Sequence, residues 1–209
     1  MNQEWPWRRI PMNTNAEEQE LKDRLNLIET MIAEGRRTTE SYGWTFVLWG
    51  VAYYVAILWA GVGHSYLAWP ITMTVACALT GVIIAGKRSK KPATTTGRAI
   101  GSIWFAVGIT MFILLMSMGF SERADQHTSI AIVAAMLGTA NAASSMILKW
   151  KLQFACALVW WALTVYACFG GGKMLTIAFL AAIFLCQIVF GVYGMILESR
   201  ERKLEANHA

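Results

Sequence analysis

WTFVLWGVAYYVAILWAGV, residues 44–62, runs for 19 positions without an acidic, basic or histidine side chain. As a helix rising 1.5 Å per residue it covers about 28 Å, close to the ~30 Å hydrocarbon layer of a bilayer. Lipid offers the backbone no hydrogen-bond partner, so a helix, which satisfies its own backbone, is the element that crosses it. Five more runs of this kind follow, near residues 67–86, 99–120, 128–148, 152–170 and 174–197. The fold class expected is an all-α integral membrane protein, a six-transmembrane-helix bundle. With 56% hydrophobic and only 15% charged residues, a soluble globular domain is excluded, and so is a disordered chain.

The basic residues set an orientation. Of 18 Lys and Arg residues, 16 lie before the first span, between spans two and three, between four and five, or after the sixth. Only Arg123 and Lys173 lie on the other side. By the positive-inside rule both termini are expected in the cytoplasm, with the first span an uncleaved signal anchor. The net charge of +5 is therefore a topology signal. Lys87, Arg88, Lys90 and Lys91 follow span two and are placed to contact lipid headgroups or simply to hold this topology. No recognition module accompanies them, so nucleic acid is not an expected partner; the bilayer is. Trp44, Trp104 and Trp150 are expected near the cytoplasmic headgroups, Trp59 and Trp69 near the opposite ones, and Trp49, Trp160 and Trp161 deeper, packed against neighbouring helices or lipid, the alternative being to stack on a substrate.

Small residues recur along the spans. Gly50, Gly108 and Ala162 mark spans one, three and five; Gly81, Gly138 and Gly191 mark two, four and six. The two series advance together, which suits three tandem helical hairpins, each starting and ending in the cytoplasm.

Four segments follow: residues 1–14, irregular and basic-aromatic; 15–41, an amphipathic cytoplasmic helix and juxtamembrane linker; 42–198, the transmembrane domain; and 199–209, a cytoplasmic tail. Residues 1–14 read either as an irregular start or as an anchor on anionic headgroups. In the helical segment Asn15 is suited to cap the N-terminus, with Glu18 closing a capping box, and Gly35 is expected to end the helix. Leu21, Leu25, Ile28 and Ile32 step by four, three and four, which aligns them on one face. That stripe is the candidate partner-binding surface. Three burials compete: the cytoplasmic ends of the bundle or the lipid surface, a second copy in a homo-oligomer, or a cytoplasmic protein partner.

Chemistry within the membrane is sparse. None of the six spans contains Asp, Lys, Arg, His or Glu, so neither a proton relay nor a base to activate a Ser or Thr is present. No enzyme and no cofactor are expected. Cys77, Cys156, Cys168 and Cys186 all fall in spans and read as small apolar packing units. On the outer side, His64 and His127 with Asp125 are weak candidates for a metal or pH-sensing site; the alternative is a solvated polar loop. Span four is the least lipid-like, with Asn141, Ser144, Ser145 and Thr139 along it. Together with Gln187 on span six and Tyr54 on span one, they suit a helix-packing face or a polar pathway. Two functions are compatible with this inventory: a non-catalytic membrane module that self-associates or binds a regulatory partner through its N-terminal helix, and a small-solute channel or facilitator that uses the polar face of the fourth span.

Overall fold

The computed structural model describes residues 14–41, 43–63, 67–88, 95–120, 125–170 and 172–208. Everything regular in it is helical. In chain order the helices are α1 (Thr14–Ser41), α2 (Gly43–Gly63), α3 (Ala68–Arg88), α4 (Thr95–Phe120), α5 (Gln126–Leu148), α6 (Lys151–Phe169), α7 (Gly172–Ile183) and α8 (Phe190–His208). A wider π-helical turn, Phe184–Val189, joins α7 and α8 into one rod. Six of these stretches are long and apolar enough to cross a membrane, and they coincide with the six runs read from sequence.

Burial sorts the helices. In α5, 56% of the most apolar stretch is buried inside the bundle, against 6% in α4. The span rich in small and polar residues thus occupies the interior, where those residues find protein, while the more hydropathic α4 is left to face its surroundings. Large apolar side chains such as Val62, Phe105, Ile113 and Phe169 are exposed, as hydrocarbon contact demands and water would penalise. α5 and α6 form the most extensive pair, α2 packs on α3 and α8, and α6 meets α7 and the π turn.

Aromatic edges join the elements. Phe46 on α2 stands T-shaped to Trp104 on α4 and Phe190 on α8, with ring centroids 5.3 and 5.1 Å away. Trp150, in the turn between α5 and α6, packs on Phe190 at 5.0 Å. Trp150 is therefore a core residue, not the headgroup anchor expected of it: the tight turn at Lys149 directs the indole inward, where a neighbouring ring covers it. Trp160, deep on α6, packs edge-on to Phe179 as expected of a packing residue.

The expected limits of α1 change. α1 begins at Thr14, so Asn15 lies within it, and it continues through Gly35 to Ser41. A helical glycine costs only about 1 kcal/mol, and α1 lies against α8, α4 and α5, which outweighs that penalty. The segment after 198 continues α8 as far as His208. The six small residues taken as repeat anchors do not share a packing role. A β-carbon at Gly50, Gly138 or Gly191 would collide with a neighbouring helix, whereas Gly81 and Gly108 have open space.

Candidate functional site

Two groups of residues stand out: a polar layer inside the bundle and an apolar stripe on α1.

The polar layer is centred on α5 and α6. Asn141, Ser144 and Ser145 are buried, and so is Gln187 in the π turn. A hydrogen bond is worth more in a dry interior than in water, so most of these groups are tied down. Asn141 Nδ2 donates to the Leu137 carbonyl at 2.8 Å, and Ser145 Oγ donates to the Ala142 carbonyl at 2.7 Å. The indole N–H of Trp104 donates to Ser144 Oγ at 3.1 Å, linking α4 to α5. Tyr54 donates its hydroxyl proton to the Leu180 carbonyl at 2.9 Å, linking α2 to α7. Thr139 is set apart: it is exposed and bonds back to the Ala135 carbonyl of its own helix.

Sequence reasoning passed over Gln153. It lies two residues past Lys151, where a polar side chain looks like part of the interface, yet it is 0% exposed. Neither its amide nitrogen nor its amide oxygen has a hydrogen-bond partner among the described residues; the same holds for Asn141 Oδ1 and the Trp160 indole nitrogen. Gln153 and Trp160 are seven residues apart, and Cys156 lies between them near the same helical face. The Cys186 sulfur is 3.8 Å from the Cys156 carbonyl oxygen, so this face of α6 meets the π turn. Gln187 reaches its place beside α2 because Gly50 has no side chain: a β-carbon there would come within 3.0 Å of Gln187 Cβ. A buried amide left without partners costs about 1–3 kcal/mol, which sets Gln153 apart from the hydrogen-bonded polar groups of the layer.

The stripe on α1 is the opposite case, apolar groups without cover. Leu21, Leu25 and Ile28 keep 59%, 52% and 50% of their surface exposed. The whole stretch 18–31 is exposed, so the bundle does not bury this part of the stripe. The Ile32 side chain lies outside the described residues. Alongside the stripe, Lys22 pairs with Glu18 at 2.8 Å and Arg24 with Glu20 at 2.5 Å.

The loops carry less. Asp125 caps α5, accepting from the Thr128 backbone N–H at 3.0 Å and from the Thr128 hydroxyl. These bonds hold its carboxyl below the usual carboxylate range, the side-chain bond contributing most. His127 is exposed beside it, while His64 lies outside the described residues. Among the described residues no three His, Cys, Asp or Glu side chains gather as a metal site. Lys90 and Lys91, and the side chains of Lys87 and Arg88, also lie outside the described residues. All four cysteines are free thiols, Cys156 and Cys186 buried, Cys77 and Cys168 exposed. No protein-family model, curated protein or solved structure matches the chain.

Proposed function

We propose that the chain is a multi-pass membrane protein with both termini in the cytoplasm, and that it acts as a non-catalytic association module through α1. The topology rests on six helices of spanning length and on the 16 to 2 division of basic residues between the two sides. The observation that carries the association reading is the exposure of Leu21, Leu25 and Ile28 on a helix otherwise flanked by charged pairs. An aligned aliphatic row in water gains free energy when covered, roughly 25 cal/mol for each Å² removed from solvent. Because the bundle leaves it uncovered, another polypeptide is the natural cover. The test is the triple variant Leu21→Ser, Leu25→Ser, Ile28→Ser in the full chain, extracted from the membrane of the producing cell in lipid particles that retain bound polypeptides. The mass of the isolated particle should fall while the helical content and thermal stability of the bundle hold. An unchanged mass with an intact fold overturns the reading.

A second reading, a small-solute channel or facilitator, is favoured by one observation: the partnerless amide of Gln153 beside Cys156 and the π turn. A polar solute or water held there requires no charged group in the membrane. Gln153→Leu in liposomes should then abolish a flux that the parent protein supports. A flux that is the same in both, or absent from the parent, removes this reading.

A further inference from the structure

We infer that the cover for the α1 stripe is a second copy of this chain, joined in a short parallel coiled coil. The inference rests on the association reading above and adds the identity and register of the partner. In heptad positions the stripe places Leu21 and Ile28 at d, and Leu25 and Ile32 at a. The flanking g positions are then Glu17, Arg24 and Met31, and the e positions are Lys22, Glu29 and Arg36. In a parallel pair each g residue faces the e residue five positions further along the other helix. Glu17 thereby faces Lys22, and Arg24 faces Glu29, each pair occurring twice by the twofold symmetry. Met31 faces Arg36, so no like charges oppose across the seam. The helix is self-complementary in this register.

The fold adds two constraints. Only Tyr42 separates the end of α1 at Ser41 from the start of α2 at Gly43, so the C-terminal end of α1 is held at the membrane. Two copies inserted with the same topology therefore present their α1 helices side by side, pointing the same way. An antiparallel pairing of the same stripes would require one copy to release that tether. The seam spans two heptads, short for a coil joining free peptides in water. Confinement to one membrane supplies the missing affinity, because it raises the effective concentration of one α1 around another without any new contact. A foreign helix could cover the apolar row; what favours a second copy is that Lys22 and Arg24, which pair within α1 with Glu18 and Glu20, also meet opposite charges at Glu17 and Glu29 of the other helix in this register.

One cysteine added at a time to the full-length protein in liposomes tests this, with a water-soluble oxidant that acts outside the membrane and the parent protein, with its four native thiols, as control. Leu25→Cys and Ile28→Cys lie in the seam and should give a disulfide-linked dimer. Asp23→Cys and Thr30→Cys lie on the outer f positions and should not. On the Leu25→Cys background, Arg24→Glu should lower cross-linking about tenfold by opposing like charges. Adding Glu29→Arg should restore it. Equal cross-linking at seam and outer positions overturns the proposal, as do cross-linking at none and a charge swap that does not rescue. If cross-linking fails while the serine triple variant still reduces the particle mass, association through α1 stands and the second copy is not its partner. If neither responds, both fail.

Discussion

Gly43 on α2 and Gly191 on α8 approach backbone to backbone: a β-carbon on either would lie 2.7 Å from the carbonyl oxygen of the other. In a membrane, where lipid tails are as apolar as the side chains, such close approach is how two helices gain dispersion contacts over competing lipid. The nearest obstacle to each β-carbon is backbone, which cannot swing aside as a side chain can.

Gly43→Ala and Gly191→Ala should therefore each destabilise the bundle by about 3 kcal/mol, the upper end of the cost of overpacking. Gly138→Ala should cost less, about 1 kcal/mol. Its β-carbon would meet the indole of Trp161 at 2.5 Å, but that ring is partly exposed and has room to swing outward. Gly108→Ala, in open space on α4, should gain about 0.5–1 kcal/mol from helix propensity. Thermal unfolding in detergent should rank the four in this order.

Lys149 closes α5 with φ of +50°, the left-handed region, and the Trp150 N–H then returns to the Ser145 carbonyl at 3.0 Å. Lysine has no advantage in that conformation over glycine. Lys149→Gly should raise stability by about 0.5–1 kcal/mol, and Lys149→Val should lower it, since β-branched residues tolerate φ > 0 least. Unfolding midpoints of the two variants should move in opposite directions.

Gln153→Leu replaces a buried amide lacking protein partners with an apolar side chain of similar size. If the amide holds nothing, the variant should be more stable by about 1–2 kcal/mol. A loss of stability instead would point to an occupant bound to that amide, and this outcome is read in the same unfolding experiment.

Asp125 caps α5 only as a carboxylate. Because its folded-state pKa is lowered, its contribution is complete above the unfolded carboxyl pKa of about 3.9 and is lost as pH falls through the folded value. The protection of the first-turn amides of α5 against hydrogen exchange, taken relative to the intrinsic rate at each pH, should fall below about pH 4. Asp125→Ala should lower that protection at neutral pH and remove its acid-dependent fall.

Most of the architecture is legible in sequence because the bilayer sets a length that no soluble helix needs. The inward position of α5 is legible too, since Asn141 and its small neighbours are poor lipid partners. What escapes is whatever depends on which helices meet. Gln153 looks interfacial beside Lys151, and only the fold encloses it. Trp150 reads as a headgroup anchor until Phe190 is placed against it. Gly108 and Gly138 are indistinguishable as letters, yet one faces open space and the other an indole. The α1 stripe was visible from its spacing alone, and whether the bundle covers it was not.

The π turn at Phe184–Val189 has a consequence for how the last span could be shortened. Phe179 and Gly191 are twelve residues apart, which in an uninterrupted α-helix would leave them about 120° out of phase. One residue fewer would reduce the offset to about 20°. The wide turn thus absorbs a single surplus residue while keeping the buried faces of α7 and α8 aligned. Deleting one residue within 184–189 should yield an ordinary helix with both faces still directed inward. Such a shortened chain would separate the contribution of the turn itself, with Cys186 and Gln187 in it, from that of the helices it joins.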